Sequence, residues 1–192
     1  MVVSRLHRSS TLFMMCDMQE KFRPAIHKFS EIIEVARRLI SAGKLMNIPL
    51  AVSEQYPKGL GSTVSELNEI ADGYAKCKLE KTRFSMVVPE MIDYLKTLEC
   101  DTVVLFGVEA HVCVQQTALD LITMGKKVHV VADATSSRCP SDRKIAFDKL
   151  KACGVYITTA ESVIFELLGD KNDDMFKPVS ALLREKMPDT DL

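Results

Sequence analysis

Cys113 is the residue around which chemistry can be built. Before it, 101–106 is an apolar, β-branched run that reads as a buried strand. After it, Val114, Ala118, Leu121 and Ile122 fall at i, i+4, i+7 and i+8, the stripe of an amphipathic helix. The thiol therefore stands where a strand gives way to a helix, near free N–H groups and the positive end of the helix dipole. A thiol so placed is expected to gain thiolate character. The plain alternative is a buried cysteine packing as a small hydrophobe. Two other residues fall at equivalent places. Asp17 follows the apolar run 11–16, and Lys81 follows an expected strand at 75–80. A cysteine nucleophile needs a base to take its proton and a cation to favour the thiolate, and a carboxylate and an ammonium supply both.

The elements that must position these residues follow from periodicity. Short apolar runs at 11–16, 49–52, 75–80, 101–106, 128–133 and 155–157 read as strands, with Asp133 an acid at the end of the fifth. Helical stripes separate them. Ser30 is the expected N-cap of the first helix, and Gly43 or Asn47 its end. A short helix is expected at 64–71, and Pro89 opens another. The Cys113 helix runs to Gly125, Ser141 caps the next, and Thr158 to Glu161 fit a capping box before the last. Strands alternating with helices imply an α/β fold. We expect a single-domain, doubly wound, Rossmann-like, mostly parallel six-stranded sheet over 1–192, order 3-2-1-4-5-6, with helices on both faces. Its core is 11–168, and 169–192 is a peripheral or oligomer-facing tail. In that order strands one and four are neighbours, so Asp17 and Cys113 flank the switch-point crevice where ligands bind. The last helix carries Val163, Ile164, Phe165, Leu167 and Leu168 almost all round, and Met175, Phe176, Leu182 and Leu183 follow. That apolar load predicts a homo-oligomer, dimer or tetramer.

Composition narrows the function. Net charge is −1, from 25 basic and 26 acidic residues, so no bulk attraction to nucleic acid or a membrane surface is expected. Arg138, Arg143 and Lys144 are the best basic cluster and read as a solvated helix start. No apolar run is long enough to span a bilayer. The six cysteines have no metal-like spacing and read as reduced intracellular thiols, which points to the cytoplasm. Met1 to Ser10 carries Arg5, Arg8 and serines but no acid, a faint transit-peptide composition that leaves mitochondrial association open. No dinucleotide fingerprint, P-loop or nucleophile elbow is present.

Three stretches together resemble the isochorismatase-like cysteine hydrolases. They are Cys16-Asp17-Met18-Gln19, Lys81-Thr82-Arg83-Phe84-Ser85, and Gly107 through Ala118 with Glu109-Ala110-His111 and Cys113 inside it. With Ser53 through Gly61, the sequence is nearest to isochorismatase domain-containing proteins, some of which carry a ribonuclease label. The resemblance implies Asp17 as general base, Lys81 as electrostatic partner and Cys113 as nucleophile, acting on a small-molecule substrate. It also implies a cis peptide at Val108-Glu109, with the N–H groups of Glu109 and Cys113 forming an oxyanion hole. Nicotinamidases of this family hold a metal through an Asp-x-His motif after strand two. Here the loop reads Ser53-Glu54-Gln55, so neither metal nor other cofactor is expected. Gln19, Phe22, Glu54, Gln55, Tyr56 and His111 are the candidates for shaping the pocket, although His111 reads equally as a solvent-facing helix-start residue. If Glu109 points into the pocket, it disfavours an anionic substrate such as isochorismate.

Overall fold

The computed structural model describes residues 4–192. Six strands form one sheet in the order β3-β2-β1-β4-β5-β6. They are β1 (Thr11–Cys16), β2 (Leu50–Gln55), β3 (Cys77–Lys81), β4 (Thr102–Val108), β5 (Lys127–Ser136) and β6 (Tyr156–Thr158). Every pairing is parallel. Between and after them lie α1 (Phe29–Leu45), α2 (Pro57–Leu60), α3 (Ser65–Ala71), α4 (Pro89–Lys96), α5 (Gln115–Thr123), α6 (Pro140–Ala152), α7 (Ala160–Leu168) and α8 (Phe176–Ala181). Among the described residues no helix is long and apolar enough to cross a membrane.

Strand alternation builds a core on each face. In β1, Phe13 and Met15 point into one core with α1, α3, α7 and α8. Leu12, Met14 and Cys16 point into the other with α4, α5 and α6. All of these β1 side chains are fully buried, which is what a central parallel strand covered on both faces requires. The Cys16 backbone pairs with Ser53 on one side and Gly107 on the other. The switch point is thus built from the ends of β1, β2 and β4.

Several expected boundaries move. Strand β2 extends through Ser53, Glu54 and Gln55, which were expected in a loop, because all three continue the pairing with β3. Lys81 is the last residue of β3 rather than the first after it. Strand β5 runs to Ser136, past Asp133, through a register jump between Leu105 and Gly107 of β4. Asp133 instead accepts a 2.8 Å hydrogen bond from the Ala160 N–H at the start of α7. Ser30 and Ser141 are not N-caps. Lys28, in the left-handed region, and Cys139 take those positions without a side-chain cap. The α7 cap is Thr159, whose side chain accepts from Ser162 N, so the capping box shifts by one residue and loses Glu161.

The tail is not an uncovered surface. Met175, Phe176, Leu182, Leu183 and Met187 pack against the α1/α7 core, and Val179 is fully buried within it. Arg143 is 3% exposed and donates to the Thr190 and Ala132 carbonyls at 2.6 Å each, clamping the tail to β5. Of the α7 residues only Phe165 stays exposed among the large apolar ones, at 42%. The chain itself therefore covers most of the patch from which an oligomer was expected. At the other end, residues 1–3 of the transit-like segment lie outside the described residues. Within the rest, Leu6 N donates to Glu166 and Arg8 Nε to the Leu167 carbonyl.

His129 on β5 gives the fold a pH dependence. Its ring is 4% exposed, stacks on Tyr156 at 4.7 Å between centroids, and lies 3.1 Å from Ser4 Oγ. Burial pushes its pKa below the ordinary value. The unfolded chain then binds that proton more readily than the folded one. Its contribution is present above about pH 6.5 and falls as pH drops toward the folded pKa. Replacing His129 with Phe is expected to flatten the loss of urea midpoint between about pH 7 and pH 5. An unchanged slope would assign that loss to other groups.

Candidate active site

Asp17 sits one residue past β1 in the left-handed region, φ +52°. Asp tolerates that conformation better than most side chains. The turn breaks strand alternation, so the side chains of Cys16 and Asp17 converge instead of pointing to opposite faces. With Cys113 they place their Sγ and carboxylate atoms within 4.8 Å of one another. The backbone at this point allows no Cβ on the neighbouring strand. Gly107 has φ +123°, and a Cβ there would lie 2.1 Å from the Cys16 carbonyl oxygen.

The Asp17 carboxylate is fully buried and doubly held. Ser53 Oγ donates to Oδ1 at 2.7 Å, and Lys81 Nζ donates to Oδ2 at 2.7 Å. Lys81 spends its other two protons on Gln55 Oε1 at 2.7 Å and the Phe84 carbonyl at 2.9 Å. Burial acts to lower the Lys81 pKa, but the acidic groups facing it, Cys16, Asp17 and Cys113, and its hydrogen bond to Asp17 outweigh that, so the net direction is up. The ammonium is therefore retained. Burial, a hydrogen bond to Cys113 and the Asp17 charge push the Cys16 thiol well above its ordinary range, against the pull of Lys81. Cys16 is thereby held as a neutral thiol.

Cys113 does not stand on the first turn of an α-helix as expected. It lies in a π-helical turn, Ala110–Val114, that precedes α5. Val114 N reaches back to the Glu109 carbonyl, and Gln115 N to that of Ala110. Single π turns of this kind re-aim side chains at functional sites. The Cys113 carbonyl accepts from Thr117 Oγ1 at 2.7 Å, and Thr117 in turn accepts from Met86 N at 2.9 Å. That buried link ties the cysteine turn to the segment after Lys81. The Val108-Glu109 peptide is cis.

The remaining candidates have different roles. Gln19 is fully buried and clips loops together: it donates to the Gln55 and Gly61 carbonyls and accepts from Gln55 N. Gln55 holds Lys81. Glu54 accepts from Thr63 N and Oγ1 at 2.6 and 2.7 Å, next to a separate cleft. Phe22 packs on the α1 core. Tyr56 is exposed and, with Pro57, Lys58, Glu80, Lys81 and Thr82, lines a cleft of about 310 Å³. His111 is not free in solvent. Its Nδ1 lies 3.0 Å from Ser137 Oγ, and its Nε2 lies 4.0 Å from Asp142.

Glu109 corrects another expectation. It is 8% exposed, but its carboxylate accepts from Arg138 N at 3.1 Å and Nε at 3.2 Å. Its charge is compensated, so it no longer argues against an anionic substrate. Of the basic cluster expected as a solvated helix start, Arg138 pairs with Glu109 and stays 64% exposed, whereas Arg143 is buried under the tail.

Residue reasoning passed over Ser53, Thr117 and Cys16. Ser53 was legible in principle from parallel register, because it pairs with Cys16 beside Asp17. Thr117 and the Phe84 carbonyl carry no sequence signal.

Known proteins repeat this arrangement of sequence and fold. The chain is 48% identical over 191 residues to isochorismatase domain-containing protein 1 of Danio rerio, covering 99% of this chain and 66% of that protein's length. It is 46% identical over 186 residues to isochorismatase domain-containing protein 2 of Xenopus laevis, covering 96% of this chain and 88% of the other. A solved structure named MAR1 ribonuclease from Caenorhabditis elegans superposes with a TM-score of 0.93 at 44% identity, covering 98% and 97% of the two chains. The Isochorismatase domain matches residues 11–162, from the first residue of β1 into α7, and the chain belongs to that family.

Proposed function

We propose that the chain is a metal-independent cysteine hydrolase acting on a small amide or related acyl compound. The observation that carries this reading is the buried convergence of the Asp17 carboxylate, the Lys81 ammonium and the Cys113 thiol at the switch point. Asp17 keeps lone pairs beyond those used by Ser53 and Lys81, so it can accept the Cys113 proton. The Cys113 sulfur then attacks the carbonyl carbon, and the N–H groups of Glu109 and Cys113 receive the oxyanion. Asp17 passes its proton to the leaving group, and water activated by Asp17 hydrolyses the thioester. Lys81 holds the Asp17 carboxylate in place through its 2.7 Å hydrogen bond. A vinyl ether, as in isochorismate, is the other small-molecule class the family suggests. The test is a screen of small amides and vinyl ethers with the purified chain, run against Cys113→Ala. A hydrolase activity that survives both Cys113→Ala and Asp17→Asn would sink the assignment.

A ribonuclease reading is supported by the name of the C. elegans structure. It needs a basic, RNA-facing surface. The engagement of Arg138 and the burial of Arg143 weigh against the surface expected for it. RNA binding that falls steeply with salt and is lost in Arg138→Ala and Lys144→Ala would favour it. A third reading is a catalytically silent family member, supported by the 6% exposure of Cys113. Thiol labelling of Cys113 no faster than that of a buried cysteine would favour that one.

We keep one domain over 1–192 and a dimer or tetramer as proposals, the assembly now resting on the exposed Phe165 ring. Phe165→Glu is expected to lower the mass seen by light scattering if that face pairs. A 21.5 kDa particle in the unsubstituted chain at micromolar concentration would refute the oligomer.

A further inference from the structure

The switch point holds one more sulfur than thiol hydrolysis uses. Cys16 takes no part in the chemistry proposed above, yet its Sγ lies within 4.8 Å of both the Cys113 Sγ and an Asp17 carboxylate oxygen. We propose that Cys16, Cys113 and Asp17 form a site for a thiophilic divalent cation, of the zinc or cadmium class, whose occupancy blocks Cys113.

Geometry, charge and ligand chemistry support the site. Metal–sulfur bonds of about 2.3 Å and a metal–oxygen bond of about 2.0 Å in a tetrahedron put the two sulfurs roughly 3.8 Å apart and each sulfur roughly 3.5 Å from the oxygen, so the donors, now within 4.8 Å of one another, need to close by about 1.3 Å at most. Three protein donors leave a fourth position for water. The ion arrives as M²⁺, two S–H bonds break, two M–S bonds form, and two protons leave to solvent. No oxidant or reductant is needed. Before binding, Asp17 and Lys81 cancel and the two thiols are neutral. Afterwards three anionic ligands face Lys81 and the divalent ion, and the site is neutral again. Burial therefore opposes binding far less than it would for an isolated charge.

Ligand type sets the selectivity. Mg²⁺ and Ca²⁺ demand oxygen ligands and find one carboxylate here, already shared with an ammonium and a hydroxyl. Thiolates favour zinc and cadmium. The site is distinct from an Asp-x-His arrangement after β2, which this chain lacks. Binding itself does not depend on the hydrolase reading; only the inhibitory consequence rests on it.

The test uses the full chain with the two exposed cysteines and the half-buried one replaced, Cys139→Ser, Cys153→Ser and Cys77→Ser, so that thiols at the surface cannot report. Cadmium chloride is titrated in while the thiolate-to-cadmium charge-transfer absorption and the heat of binding are followed. One cadmium per chain is expected, with two protons released. Cys16→Ser is expected to weaken binding by at least the roughly 10–100-fold that even outer-shell substitutions cause. Cadmium should raise the Tm of the parent, and of Cys16→Ser much less, and this second readout requires that both be folded. Magnesium should do neither. Absence of the band, or a band of equal affinity in Cys16→Ser, would overturn the site. Once a substrate is found, hydrolysis that persists at cadmium saturation would overturn the block but not the site. Hydrolysis that stops at cadmium saturation is the expected result, whereas a metal-free chain that hydrolyses nothing yet binds cadmium would leave the site standing and overturn the hydrolase reading.

Discussion

Cys113→Ala is expected to reduce turnover by on the order of 10⁴-fold or more, as removal of a nucleophile does in other covalent hydrolases. The chain should stay folded. Cys113 is a small side chain at the edge of the α4/α5/α6 core, and its truncation removes one sulfur from a site with no bond dependent on it in the Asp17–Lys81 pair. Asp17→Asn should act on the same step by a different route. Amide replaces carboxylate beside Ser53 and Lys81, so the base is lost and the buried ammonium loses its counter-charge. Stranding one partner of a buried pair costs about 3–5 kcal/mol. Asp17→Asn is therefore expected to lose both turnover and stability, and Cys113→Ala turnover alone. Turnover and urea unfolding measured on the two variants separate the roles. If Cys113→Ala retained more than a tenth of the parent rate, the thiol would not be the nucleophile.

Gly107→Ala should be among the most destabilising single-methyl substitutions in the chain. The added Cβ would meet the Cys16 carbonyl oxygen at 2.1 Å and the Cys16 backbone carbon and nitrogen at 2.9 Å. These are backbone atoms of paired strands, and they cannot rotate aside. At φ +123° an alanine is also strained in its own right. Overpacking and backbone strain together predict a loss of about 3 kcal/mol or more. Gly154→Ala is the control, since its φ of +88° carries strain but nothing lies within 4 Å of the new Cβ. It should lose about 1 kcal/mol. Urea midpoints at constant m-value measure both. Equal losses would mean that the close approach of β1 and β4 is not what demands glycine. Any folded Gly107→Ala protein should also have displaced Cys16 and Asp17, linking strand register directly to the site.

The sequence by itself determined the layout. Short apolar runs and a period of 3.6 placed six strands and the principal helices, and their alternation implied the parallel order that the sheet adopts. The order of strands then brought the ends of β1, β3 and β4 to one edge. Because position along a strand is a local property, Asp17, Lys81 and Cys113 could be picked out before their distances were known. Tertiary structure decided how they meet. Alternation alone would send Cys16 and Asp17 to opposite faces, and the left-handed turn at Asp17 reverses that. Gln55, Ser53 and Phe84 became the holders of Lys81 and Asp17 only through cross-strand register and a loop carbonyl. Glu109 looked like an uncompensated acid until the backbone brought Arg138, distant in sequence, onto it. The apolar tail looked like an interface until it folded against α1 and α7. Each of these rests on contacts between residues far apart in the chain, where no local period carries a signal, and burial then decides which charge is paired and which surface is covered.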